Sequence, residues 1–483
     1  MKVQLEIRTE VEAQRLHFKA IFPRSSNDWK LQLPTWRPGR YELGNFAQYV
    51  LWVEGVDANG NRMRLQKTGL HTWQVPADLT HIEWLFHADI LNAGSTFVGP
   101  DLRYVNPVNC VMYDPNRQDL PYSITLCDVA IEPDHPHGWA LATAMPWTLH
   151  VGNPVLSGRD VQHVMDSPWM ASPKLWHDSF QEQGVDVHIW VHDTMPADRN
   201  RFMADHVAFT RSQLATFGSF PTDVYHFLYL FPGEMDVRHG VEHEDSTVIA
   251  LGPADRVKSE AGYMEIIGIA SHELYHAWNV KRIRPAEWTP YDFSRPCPSE
   301  LGYVAEGVTT YMGDLFLYES GIVDLDGWCA LMTQLLERHL NNPGRLNMSV
   351  AASSFDTWLD GYRPGVKGRK GSIYVEGAVL AFLCDVRIME ATQGKASLST
   401  AMRMLWERYG KPRIGLTADM YWDTLAEVAG QRLDDLRRDH ADGTADTWEA
   451  LVHGMASQGL RLSRELDDGV ITKVSITRLP LKP

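Results

Sequence analysis

Over its first third the chain is a succession of short β-type runs, among them Leu16 to Phe22, Tyr49 to Val56, His81 to Ile90 and Ser123 to Ile131. Clusters of Gly, Pro, Asn and Asp separate them. Runs of this length and spacing predict an antiparallel sandwich or related β domain over residues 1–165, with Trp36, Trp52, Trp73 and Trp84 mostly in its core. Val185 to Val191 predicts another strand, and Asp198 to Phe217 a helix opening at an Asp suited to capping it. After Glu260 the pattern turns to helical periodicity: Ala261 to Val280, Leu301 to Tyr318, Trp328 to Leu340, Val375 to Glu390, Ser397 to Tyr409 and Ala418 to Ala429. The expected fold is multidomain α+β: a β-sandwich-like domain at 1–165, a largely helical domain at 166–450, and a short β appendage at 451–483 built on the alternating run Val470 to Ile476.

Composition narrows the class. A chain of 483 residues, 44% of them hydrophobic, can bury a core in each of two or three domains without staples. The five cysteines are scattered, form no CxxC pair, and read as reduced core residues. No apolar run of signal-peptide or membrane-spanning length is visible, so a cytoplasmic protein with no membrane partner is expected. The net charge of -16 argues against nucleic acid as a partner and leans toward ligands carrying positive charge.

The chemistry concentrates in Ser271-His272-Glu273-Leu274-Tyr275-His276, an HExxH run in an apolar helical segment. Residues four apart on a helix lie one above the other, so both imidazoles can reach one cation while Glu273 stays beside it as a general base. Catalytic zinc needs a third protein ligand. Thirty residues after His276, Glu306 stands alone on the apolar stretch Tyr303 to Tyr311, where an unpaired charge would be costly. Metal ligation answers that cost, and an ordinary surface glutamate is the plainer alternative. Thr310, one turn on, is a candidate hydrogen-bond support for a ligand histidine.

Two further segments stay open on the residues alone. His239-Gly240-Val241-Glu242-His243-Glu244-Asp245-Ser246 leads into the strand-like Thr247 to Leu251. Its carboxylates at the start of an edge strand suit a substrate's α-ammonium, yet a solvated loop or a second metal on His239 and His243 fits equally. Tyr374, where another helix opens, is either a packing tyrosine or a hydrogen-bond donor to a developing oxyanion.

In their order along the chain these motifs resemble the M61 glycyl-aminopeptidase family, relatives of the thermolysin-like and M1 aminopeptidases that hold zinc with two histidines and a glutamate. Trp36-Arg37-Pro38-Gly39-Arg40-Tyr41 is similar to the family's Trp-x-Pro-Gly-x-Tyr signature, read here as structural, and Gly240-Val241-Glu242-His243-x-x-Ser246 to its amine-binding loop. The Glu306-Gly307 pair and Tyr374-x-x-Gly377 complete the match. The resemblance implies a thermolysin-like catalytic domain holding one Zn2+ per chain on His272, His276 and Glu306. Glu273 becomes the base, Tyr374 the oxyanion donor, and Glu242 with Gly240 the amine site of an aminopeptidase acting on peptides with a free N-terminus, Gly or Ala first. His239 stands where the family has a glycine, and Glu376 where it has a lysine. After Leu462 too few residues remain for the complete PDZ domain the family commonly carries. An endopeptidase, or a binding protein with a vestigial metal site, are the rival expectations; the sequence does not set the oligomeric state.

Overall fold

The computed structural model describes residues 1–131, 138–362, 365–467 and 470–480. The fold is α+β, rich in β-sheet at the N-terminal end and helical toward the C-terminus. It divides into two compact units. The first comprises Met1–Arg199, Thr222–Ile266 and Pro290–Pro296, and the second Asn200–Pro221, Ile267–Thr289 and Cys297–Pro483.

In the first unit an eight-stranded sheet is centred on Val3–Glu10, Arg15–Ile21 and His81–His87. Their alternating side chains explain the strands: Leu5, Ile7, Phe18 and Trp84 are all buried, with Phe18 stacked on Trp84 at 4.9 Å. The pairing is mainly antiparallel as expected, but Val3–Glu10 runs parallel to Tyr122–Leu126. A three-stranded sheet (Trp29–Gln32, Thr72–Val75, Lys67–Gly69) and a four-stranded one (Ala140–Thr143, Trp169–Ser172, Arg103–Val105, Phe97–Val98) accompany it.

The same unit holds a five-stranded mixed sheet, in the order Leu175–Glu182, Val185–His192, Val224–Leu230, Ser246–Gly252, Val237–Glu242. An apolar layer of Tyr104, Met170, Leu228, Val241, Val248 and Ala250 joins this sheet to the four-stranded one. Here the sequence expectation needs correcting. The run Thr247 to Leu251 is an interior strand, paired on both sides; the edge is Val237–Glu242. An interior strand buried on both faces reads as continuously apolar, and that run has this character.

The second unit is helical: Arg199–Phe217, the C-terminal part of Glu260–Tyr275, then Thr309–Glu319, Leu325–Leu340, Val350–Asp360, Val375–Thr392, Leu398–Leu405, Ala418–Ala429 and Trp448–Ser457, closed by the hairpin Leu460–Asp467 and Val470–Arg478. Several elements differ from the periodicity. The helix expected to reach Val280 ends at Tyr275, where tighter turns take over (Ala277 N–H to Leu274 O at 2.9 Å, Trp278 N–H to Tyr275 O at 3.1 Å), and Val280 takes φ +104°. The segment expected as one helix from Leu301 opens with a π-helical turn, Tyr303–Val308, before α geometry sets in at Thr309. Val350–Asp360, weakly patterned in sequence, forms a helix capped by Ser349, whose hydroxyl accepts from the Ala352 N–H at 3.2 Å. All five cysteines are free, and among the described residues no helix is long and apolar enough to cross a membrane.

Candidate active site

Three of the residues singled out by the sequence converge in the second unit. His276 Nε2 lies 3.0 Å from His272 Nε2 and 3.4 Å from Glu306 Oε2. The third side of the triangle, His272 Nε2 to Glu306 Oε2, is 3.8 Å. Ligands held tetrahedrally at about 2.1 Å from a zinc ion stand about 3.4 Å apart, so the donor set fits such an ion. His276 and Glu306 are buried and His272 is partly exposed. Burial alone would raise the Glu306 carboxyl, but the facing imidazoles of His276 and His272 outweigh it and hold the group well below the usual carboxylate range. Glu273, buried, follows His272 and lies three residues before His276, sharing a face of the helix with it.

The surroundings orient the rings. His276 Nδ1 faces the Asn279 carbonyl at 2.8 Å, an acceptor that keeps the proton on Nδ1 and leaves the Nε2 lone pair for a cation. The Asn279 side-chain amide reaches the segment that carries Glu306, donating to Val304 O at 2.8 Å and to Ala305 O at 3.3 Å. A π-helical turn leaves carbonyls without their usual helical partners, and Asn279 supplies them. The hydroxyl expected near a ligand histidine belongs to Thr309, not Thr310: Thr309 Oγ1 lies 3.4 Å from His276 Nδ1 and donates to Ala305 O at 2.7 Å. Neighbouring helix positions point about 100° apart, so only one of the two threonines can face the ring.

Close backbone approaches set the remaining spacing. A side chain on Gly313 would meet the backbone of His272, its Cβ 3.0 Å from His272 Cα, and Ser271 Oγ donates to Gly313 O at 2.8 Å. Gly307, next to Glu306, crosses Gly377 so closely that a Cβ there would lie 2.3 Å from Gly377 Cα. The glutamate-bearing segment is thereby laid against the first turn of the helix Val375–Thr392, which Tyr374 precedes. The Tyr374 hydroxyl is 3.4 Å from that of Tyr362. Glu376 turns back on its own helix start, accepting from the Ser372 N–H at 2.7 Å.

In the first unit, Gly240 and Glu242 lie on the edge strand Val237–Glu242. Val241 packs into the apolar layer, so Glu242, the next residue, faces the other side of the sheet. Glu242 is 4% exposed, and its Oε1 has no hydrogen-bond partner among the described residues. The turn that follows is clasped by Asp166, which meets His243 Nδ1 at 3.0 Å and accepts from the Glu244 N–H at 2.9 Å. His239 instead meets the Arg37 guanidinium at 3.0 Å, and burial followed by the charges of Arg37 and Arg40 brings its imidazole down to about 3. Among the described residues, neither His239 nor His243 belongs to a group of His, Cys, Asp or Glu side chains close enough together to hold a metal, so the second-metal alternative lacks a donor set.

Sequence reasoning missed Asn279, Thr309 and Gly313 as parts of this arrangement, and met Gly307 and Gly377 as motif positions without the contact between them. Asn279 carried one weak signal, its place three residues after HExxH; the glycine contacts exist only once the helices cross.

Known proteins place this geometry in context. The sequence profile described as M61 glycyl aminopeptidase matches residues 265–380, and that of the peptidase M61 N-terminal domain matches residues 3–173. Comparison with the curated proteins finds no match. Among solved structures, an aminopeptidase N family protein from Idiomarina loihiensis superposes with a TM-score of 0.87 at 22% identity, covering 97% of this chain and 80% of that one. A variant of the M1 zinc metallopeptidase of Deinococcus radiodurans, bound to a Tyr-Ser-Ala substrate, gives 0.54 at 13% identity, over 92% and 94% of the two chains. Legionella pneumophila aminopeptidase A in complex with aspartic acid gives 0.55 at 13%, over 92% of this chain and 49% of that one. At these identities the structural likeness speaks for the fold. The two profiles together cover more than half of the chain, in the family's own domain order and across the cluster just described. On that ground the chain belongs to the M61 glycyl aminopeptidase family and is a metallopeptidase.

Proposed function

We propose that this enzyme is a zinc-dependent aminopeptidase, with one ion per chain on His272, His276 and Glu306, that removes the first residue from short peptides with a free amino terminus. The observation that carries the reading is the triangle of donor atoms, with sides of 3.0, 3.4 and 3.8 Å, two of whose three residues are buried. Imidazole and carboxylate donors in a tetrahedral set suit zinc. Bound there, zinc supplies Lewis acidity toward a peptide carbonyl and toward water.

The chain's own residues do the rest. Glu273 takes the proton of the attacking water and hands it to the departing amine. Tyr374 donates its hydroxyl proton to the oxyanion that develops on the scissile carbonyl. Glu242, whose Oε1 lacks a partner among the described residues, receives the substrate's α-ammonium. Support for a peptide substrate comes from the Deinococcus relative, whose structure holds one, and the family description favours glycine as the first residue.

The test is hydrolysis of a panel of free-amino aminoacyl substrates by native enzyme, by chelated enzyme with zinc restored, and by Glu273→Gln. We expect activity to vanish on chelation and return with zinc, and Glu273→Gln to lose roughly 10²–10⁴-fold in kcat while still binding the metal. Folded, zinc-loaded protein that cleaves none of the panel would refute the reading.

A further inference from the structure

The signature loop Trp36-Arg37-Pro38-Gly39-Arg40-Tyr41, expected from sequence to be purely structural, lies against the candidate amine site within the first unit. Gly39 takes φ +77°, and a Cβ built on it would fall 2.3 Å from Glu242 Oε2 and 3.1 Å from Glu242 Oε1. The carboxylate therefore fills the volume that any side chain at position 39 would need. Its Oε1, buried and without a partner among the described residues, is an acceptor waiting for a donor, since an unmet buried carboxylate oxygen is costly.

The loop is held firmly. Trp36 Nε1 donates to Asp292 O at 2.8 Å, and the Thr35 N–H donates to Phe293 O at 2.8 Å. Arg37 donates through Nη1 to Pro38 O at 3.1 Å and reaches His239 Nε2 through Nη2 at 3.0 Å. Gly94 makes room for that guanidinium, because a Cβ on it would lie 2.3 Å from Arg37 Nη2. The loop thus meets the edge strand at two points three residues apart, His239 and Glu242. A glycine at 239 has no ring to offer Arg37, so the histidine ties the loop to the strand in this chain.

We propose that this loop is the positioning element of the subsite for a primary α-ammonium. Gly39, by lacking a side chain, fixes where the Glu242 carboxylate lies, and the Arg37–His239 contact pins the loop so that the gap stays the right size. Gly39 and Arg37 are positioning residues, acting through Glu242, and the inference rests on the reading of Glu242 as the amine anchor.

Two matched probes isolate amine recognition: glycine hydroxamate and acetohydroxamate, which differ by the amino group. Their affinities for zinc-loaded wild type, Glu242→Gln, Gly39→Ala and Arg37→Met are measured by titration calorimetry, with thermal melts to establish folding. The wild type is expected to prefer glycine hydroxamate by about tenfold or more, the scale of a charge-assisted hydrogen bond. Glu242→Gln should abolish the preference, and Gly39→Ala and Arg37→Met should each cut it severalfold while acetohydroxamate binds as before. If both loop variants keep the wild-type preference where Glu242→Gln loses it, the positioning role is wrong and the anchor stands. Equal weakening of both probes in the loop variants means a merely structural loop, which also overturns the proposal. A preference that survives Glu242→Gln removes the anchor and this inference with it.

Discussion

Asn279 serves the two segments that carry the donor triangle at once. Its carbonyl accepts from His276 Nδ1, and its side-chain amide donates to Val304 O and Ala305 O beside Glu306. Replacement by aspartate keeps the shape and reverses the sense, setting a carboxylate against two carbonyl oxygens. We expect Asn279→Asp to lower zinc affinity about 10–100-fold, the usual cost of losing a partner that orients a ligand, and chelator competition measures it. An affinity equal to wild type would deny Asn279 this role. Thr309→Val should weaken zinc binding in the same assay because Thr309 Oγ1 faces His276, whereas Thr310→Val should not.

Among elements, the crossing of two glycines matters most. Gly307 and Gly377 let the π-helical turn with Glu306 lie directly on the helix that Tyr374 precedes, and a Cβ at 307 would also come within 2.4 Å of the Gly377 carbonyl carbon. Backbone cannot rotate aside as a side chain can, so relief requires the two segments to part. Gly307→Ala should destabilise the fold by about 1–3 kcal/mol, the range for overpacking, and lower kcat at temperatures where the variant is still folded. Denaturant melts and kinetics on one preparation check both, and unchanged kcat in the folded variant would show that the crossing does not position the site. Strain collects nearby: Val280, β-branched and at φ +104°, turns the chain just after Asn279.

Over the whole molecule, buried histidines tie stability to pH. His226 is brought down to about 3 by burial, reinforced by the charges of His188, which stacks on it, and of His177, with Trp190 donating to its Nδ1 at 3.1 Å. His239 stands at about 3 as well. A histidine whose pKa is depressed on folding binds its proton more readily when unfolded, so its contribution is complete above the usual imidazole value of about 6.5 and is lost as pH falls toward 3. Each such group accounts for an order of a few kcal/mol across that window. His226→Gln retains an acceptor for Trp190 and removes the titration. Urea unfolding from pH 7 to pH 3.5 should then show a visibly shallower loss of stability than wild type. An identical slope would place the acid sensitivity elsewhere.

By itself the sequence determined the α+β order, and it located the strands it singled out and most of the helices to within a few residues. It also marked His272, Glu273 and His276 as candidates, because periodicity and HExxH spacing are properties of local geometry, whereas Glu306 was singled out by its lone charge on an apolar stretch and by the family resemblance. Even the hairpin strand at Val470–Arg478 was legible from its alternation. Only tertiary structure decided which strand is the sheet edge, that Thr309 rather than Thr310 faces the ring, and that the loop around Gly39 belongs beside Glu242. Each of these depends on elements distant in sequence meeting at a particular register and rotation. A shift of one residue in a strand or about 100° on a helix reverses the outcome without changing the hydrophobic pattern from which the element was read.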